Sequence, residues 1–154
     1  MIKSLASRFP VINLLMIYLL AVAVAYLLAS VTATQSVVSS LSDMGVTVGF
    51  TDRIGMTIKD IAGMAGLFLP MVAAAFLAAF LIAAMLCRWW SQWRMPIYII
   101  TGAAGLVTIH LTLNLAFGIT PIAIGRTAGG LFLQGLAGAA GGYIFMSLTQ
   151  KPSP

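Results

Sequence analysis

Acidic residues are almost missing from this chain. Its 154 residues hold three of them, Asp43, Asp52 and Asp60, and no glutamate at all. All charged residues together make up 7%, against about 25% in a soluble domain. A chain so poor in charge does not cover itself with polar surface, which excludes a water-soluble fold. Cys87 is the single cysteine and His110 the single histidine. One cysteine excludes an intramolecular disulfide, and the pair is too small a ligand set for a structural zinc site within one chain. The signatures GxSxG, HExxH, CxxC, GxGxxG and the Walker loop are all missing, and with them the chemistries that those spacings serve. The hydroxyls near His110 lack the acid that orients a catalytic triad. No basic face is grouped for nucleic acid either, because the cations are scattered.

What the chain has instead is hydrophobic length. Residues 11–31, 66–87, 96–117 and 128–148 form four apolar stretches, and 61% of the chain is hydrophobic with a mean hydropathy of +1.07. About 20 residues at 1.5 Å rise cross the ~30 Å hydrocarbon core of a bilayer. The expected architecture is an all-α membrane protein, a bundle of four transmembrane helices forming one integral membrane domain over residues 1–154. Four spans in a chain this short are similar in size to the small multidrug exporters. Those rely on a glutamate in the first span, and segment one has none.

Charge placement gives the expected topology. Lys3, Arg8, Arg88, Arg94 and Lys151 fall on one side, with no acid; Arg53, Lys59, Arg126 and all three aspartates fall on the other. The positive-inside rule then places both termini in the cytoplasm, with residues 32–65 as an extracytoplasmic loop of about 30 residues. This bias, without an organelle signal, fits a bacterial inner membrane. Lys3 and Arg8 before an apolar run also resemble a signal peptide, but the run is longer than the usual ~7–15 residues, so an uncleaved anchor is expected. Trp89, Trp90, Trp93 and Tyr98 beside Arg88 and Arg94 read as an interfacial belt.

Within the 32–65 loop the signals are local. Val37, Leu41 and Met44 have helical spacing, and Gly45 would end such a turn. Val46, Val48 and Phe50 alternate as in a short strand. Thr57 with Asp60 fits a relaxed capping box, so segment two is expected to start as early as Ile58. Pro70 is expected to kink it.

Small residues mark helix faces. Segment two is rich in alanine, and Gly130, Gln134, Gly138 and Gly142 rise along one face of segment four at intervals of four. Gly125 with Gly129, and Gly138 with Gly142, have GxxxG spacing. Such a face packs on a helix of the same chain or on another subunit. The polar residues within spans mark a second feature. His110 and Asn114 are four apart on segment three. Counting inward from the segment ends puts His110 about 12 Å and Gln134 about 11 Å below the outer surface, with Tyr26 at a similar depth. Three helices thus offer Tyr26, His110 and Gln134 at one level, with Asn114 a turn higher. Arg126 precedes segment four, at the wrong end for the helix dipole, and calls for an aspartate or a lipid phosphate.

These features point to two functional classes. The first is a non-enzymatic subunit or assembly factor of a membrane complex, working through its small-residue faces on a protein partner or a second copy. The second is a small-solute or lipid transporter or binding protein with an outward-facing polar pocket of Tyr26, His110, Asn114, Gln134 and Arg126. A membrane enzyme using His110 and Arg126 ranks behind both. No cofactor and no metal is expected; one histidine supplies a single axial ligand, and haem held between helices commonly takes two.

Overall fold

A computed structural model describes residues 10–118 and 122–149. Among them every regular element is helical: α1 (Pro10–Asp43), α2 (Phe50–Met64), α3 (Phe68–Trp89), α4 (Arg94–Phe117) and α5 (Ala128–Thr149). Two short 3-10 turns, Ser91–Trp93 and Ala123–Arg126, precede α4 and α5. Helices α1, α3, α4 and α5 are the four long and apolar enough to cross a membrane.

The first helix is much longer than its apolar stretch. Its 34 residues reach about 51 Å, some 20 Å beyond the hydrocarbon thickness. The polar second half stays helical because its hydroxyls turn back on the helix. Thr32, Ser40 and Ser42 each donate to the carbonyl four residues earlier, and Thr34 Oγ1 lies 3.0 Å from the Ser30 carbonyl. Gly45 ends the helix with φ +82°. There the Gly45 N–H bonds the Ser42 carbonyl and the Val46 N–H bonds the Leu41 carbonyl, the paired bonds of a Schellman cap.

The 32–65 region is therefore largely helix rather than loop. The strand expected at 46–50 does not form; residues 46–49 are non-helical and α2 starts at Phe50. A lone strand has no ladder to satisfy its backbone, whereas a helix satisfies its own. The Thr57–Asp60 capping box does not form either. Gly49 is the N-cap of α2, Thr57 donates to the Arg53 carbonyl, and Asp60 accepts from Thr34. Segment two does not reach back to Ile58, because the chain breaks at 65–67 and α3 begins at Phe68. Pro70 lies in the first turn of α3, where its missing N–H has no intrahelical partner to lose. It starts the helix rather than kinking it.

Helix α5 packs against both α1 and α4, and α3 packs against α4 and α1, closing a four-membered ring. The α4–α5 seam is built on glycine. A Cβ on Gly138 would stand against the Gly102 carbonyl, and one on Gly142 against the Tyr98 carbonyl. Ala21, Ala25 and Ala29 on α1 are fully buried at intervals of four. They let α1 approach α5 from another side, where a Cβ on Gly141 would come within 3.0 Å of the Ala21 carbonyl, and this alanine repeat was readable in the sequence. Gly130 is filled by Ile124 of the second 3-10 turn, so that turn folds down on α5. Gly129 of the other GxxxG pair meets nothing within 4 Å.

The two ends of the bundle differ. Toward the tryptophans the core is aromatic: Phe80 stacks on Phe145 at 4.3 Å between ring centroids and contacts Phe76 and Tyr98 at 5.0 and 5.8 Å. Tyr18 donates to the Ala73 carbonyl. Arg94 is also tied into the fold. Its Nη2 donates to Thr149 Oγ1 at 2.8 Å and to the Thr149 carbonyl at 3.3 Å, closing the end of α5. Trp89, Trp90 and Trp93 are exposed. At the opposite end the core becomes polar.

A cleft over buried polar atoms

The polar end is assembled from five elements. On α1, Tyr26, Ser30 and Thr34 recur every four residues and are all buried. Thr34 Oγ1 donates to Asp60 Oδ2 at 2.8 Å, Gln35 Nε2 to Thr57 Oγ1 at 3.4 Å, and the Tyr26 hydroxyl to the Ile61 carbonyl. These three bonds hold α2 along the outer part of α1. They matter because α2 has no buried residue of its own.

On α5, Gln134 is fully buried. Its Nε2 donates to the Ala29 carbonyl at 3.0 Å and to Thr32 Oγ1 at 3.2 Å. The amide is thereby fixed, with its oxygen directed away from these α1 acceptors. On α4, His110 is 3% exposed. Its ring lies under Gly125 of the 3-10 turn, where a Cβ would come within 3.0 Å of Nδ1. The ring also faces Gln134, without closing a well-formed hydrogen bond onto it. Among the described residues, three of these buried atoms find no hydrogen-bond partner: Ser30 Oγ, His110 Nε2 and Gln134 Oε1. An unsatisfied buried polar group costs about 1–3 kcal/mol, so three together need a physical account.

Phe68, the first residue of α3, stands beside them. Its ring centroid is 6.0 Å from that of His110 and 6.1 Å from that of Tyr26. The other side of Phe68 lines an open cleft of about 650 Å³. Its walls come from α1 (Ala33, Val37), α2 (Asp60, Gly63, Met64), the α2–α3 break and start of α3 (Leu67, Phe68, Met71), Leu113 of α4, and the 122–123 turn. The lining is apolar except for Asp60. A mostly apolar cleft of about 300–1,000 Å³ with few polar groups is the usual form of a small-molecule site.

The structure thus gathers Tyr26, His110 and Gln134 into one buried region, with Phe68 in contact with the first two. It does not gather the other two residues of the expected pocket. Asn114 is exposed and its backbone carbonyl takes the Gly118 N–H. Arg126 is exposed at the end of its 3-10 turn. Sequence reasoning missed Ser30, Asp60 and Phe68. Ser30 at i+4 from Tyr26 was a usable signal; Phe68 gave none, being one apolar residue among many. No group of three His, Cys, Asp or Glu residues is close enough for a metal among the described residues. No protein-family model, curated protein or solved structure matches the chain.

Proposed function

We propose that this chain is a multi-pass protein of a bacterial inner membrane that binds an amphipathic molecule from the outer leaflet in the cleft above Phe68. The observation that carries the reading is the pairing of an apolar cleft with buried His110, whose ring lies 6.0 Å from that of Phe68 in the cleft wall and whose Nε2 has no hydrogen-bond partner among the described residues. In this orientation both termini and the tryptophan end face the cytoplasm, as the charge bias favours, and the cleft opens outward. The role is one of binding or transport rather than catalysis.

The competing reading, a subunit or assembly factor, rests on the small-residue faces of segments two and four, the missing catalytic groups and the scarcity of sequence outside the spans; the segment-four part of it uses Gly130, Gly138 and Gly142. In this structure those glycines are occupied by Ile124, Gly102 and Tyr98 of the same chain. The argument for a partner on that face is correspondingly weaker.

Native mass determination of the protein released from its own membrane in mild detergent tests the proposal. Gly63 lines the cleft and a Cβ there meets nothing within 4 Å, so Gly63→Trp starts from a position with room for a side chain and is the variant chosen to fill the space. A small molecule or lipid bound to the wild type and lost from Gly63→Trp supports the reading. A stoichiometric protein partner, retained equally by both and with no bound small molecule, overturns it.

A further inference from the structure

If the cleft is a binding site, the buried polar atoms beside Phe68 give it a definite chemical preference. Resting on that reading, we propose that its ligand is an uncharged amphiphile with a hydroxyl or carbonyl headgroup, which enters head-first and bonds Ser30, His110 and Gln134 while its apolar body fills the cleft.

The first argument is the kind of polar atom on offer. Ser30 Oγ–H is a donor and also an acceptor. Gln134 Oε1 is an acceptor only, its nitrogen being engaged on α1. His110 Nε2 donates or accepts according to tautomer. Such a mixed, uncharged set matches a hydroxyl or a carbonyl. It offers a carboxylate or phosphate no cation, and an ammonium no anion; an ion buried without a partner is strongly disfavoured.

The second argument is the side chain of Ser30. On the same helix Thr32, Ser40 and Ser42 satisfy themselves on their i−4 carbonyls, and Thr34 is satisfied by Asp60. Ser30 has the Tyr26 carbonyl at the same spacing, makes no such bond and is 0% exposed. It lies one turn below Ala33, on the stripe of α1 that continues as Ala33 and Val37 into the cleft.

Charge at the mouth is the third argument. Among the described residues Asp60 is the one ionisable side chain in the lining, and no Lys or Arg joins it. A carboxylate there repels anionic headgroups. It does not select for a cation deep in the site, because the polar atoms beside Phe68 are neutral acceptors and donors. Phe68 lines the cleft and contacts the His110 and Tyr26 rings, so its side chain has to turn aside for a headgroup to reach His110. Tyr26 contributes no polar group, since its hydroxyl is committed to the Ile61 carbonyl.

The test uses the full chain in lipid nanodiscs, with Trp89, Trp90 and Trp93 changed to Phe and Leu67→Trp as the reporter at the cleft mouth. Three bromine-tagged probes of equal chain length are titrated: a long-chain alcohol, its carboxylate and its trimethylammonium analogue. The alcohol is expected to quench saturably and more tightly than either ion. Ser30→Ala and His110→Phe are each expected to weaken it about five- to tenfold, as loss of one buried hydrogen bond implies. Tighter binding of either ion overturns the inference and leaves the cleft reading standing. So does unchanged alcohol binding in both variants, which would mean that water, or the side chains themselves, satisfy the buried atoms. If His110→Phe fails to fold, Ser30→Ala decides alone, since it removes only a hydroxyl. No saturable quenching by any of the three probes removes the cleft reading and the inference with it.

Discussion

Replacing Gly138 by alanine is a sharp test of how this bundle is held together. An added Cβ would lie 2.9 Å from the Gly102 carbonyl carbon and 3.1 Å from Ala103 Cα, with the Gly102 carbonyl oxygen closer still. Carbon atoms rest at about 3.5–4.0 Å, so α4 and α5 have to part by roughly 0.6 Å or more. The obstructing atoms are backbone and do not rotate away, and overpacking of this kind costs about 1–3 kcal/mol. Gly63→Ala is the control: its Cβ meets nothing within 4 Å, and alanine in place of a helical glycine gains about 0.5–1 kcal/mol. That gain applies to both helical positions and cancels, so the two variants are expected to differ by the overpacking cost, about 1–3 kcal/mol, Gly138→Ala being the weaker. Unfolding of each by added SDS in mixed micelles, followed by circular dichroism, reads the difference. The midpoint is also expected to be independent of protein concentration, because the seam is internal; an intersubunit seam shifts with concentration by mass action. Equal stability of the two variants, or a concentration-dependent midpoint that Gly138→Ala abolishes, would refute the reasoning.

The polar contacts give two further expected outcomes. Thr34→Val removes the hydroxyl that donates to Asp60. A hydrogen bond to a charged group contributes about 1.5–3 kcal/mol when buried; Asp60 is half-buried, so the expected effect lies at or below the lower end. Faster hydrogen exchange confined to residues 50–64 is the predicted readout, and unchanged exchange there contradicts the tether. Arg94→Ala deletes the bonds that close α5 at Thr149. A cation at a helix C-terminus contributes about 0.3–1 kcal/mol, so the last turn of α5 is expected to exchange faster while the glycine seam does not. Arg94→Lys, which keeps the charge, should recover part of the protection.

The four spans were legible because hydropathy and length are enough to find an apolar helix. Their helical partners outside the apolar stretches were legible only in part. Within residues 32–43 the spacing of Val37 and Leu41 and the stop at Gly45 were legible as a helical turn, and both hold; that the turn continues the first span without a break was not, since hydropathy does not separate a loop from a helix whose hydroxyls bond their own backbone. The Thr57–Asp60 pair looked like a cap, but Asp60 is used on Thr34, a partner 26 positions away that no local pattern reveals. At the site, counting depth along three helices brought Tyr26, His110 and Gln134 to one level, and the structure places them in one buried region. Asn114 illustrates the limit of that counting. Four residues turn the helix by about 400°, so it stands some 40° from His110, and it is exposed where His110 is buried. The contact of Phe68 with both Tyr26 and His110 depended on where α3 begins, and the break at 65–67 was not written in hydropathy.

The most direct test of the central claim is photo-crosslinking in native membranes with a diazirine-tagged long-chain alcohol, with the labelled residues then mapped. The account predicts adducts concentrated at Gly63, Met64, Met71 and Leu113 around the cleft, and reduced there by Gly63→Trp. Labelling spread over the outward faces of the spans at Leu77, Leu81 and Ile100, in proportion to exposure and unchanged by Gly63→Trp, would contradict it.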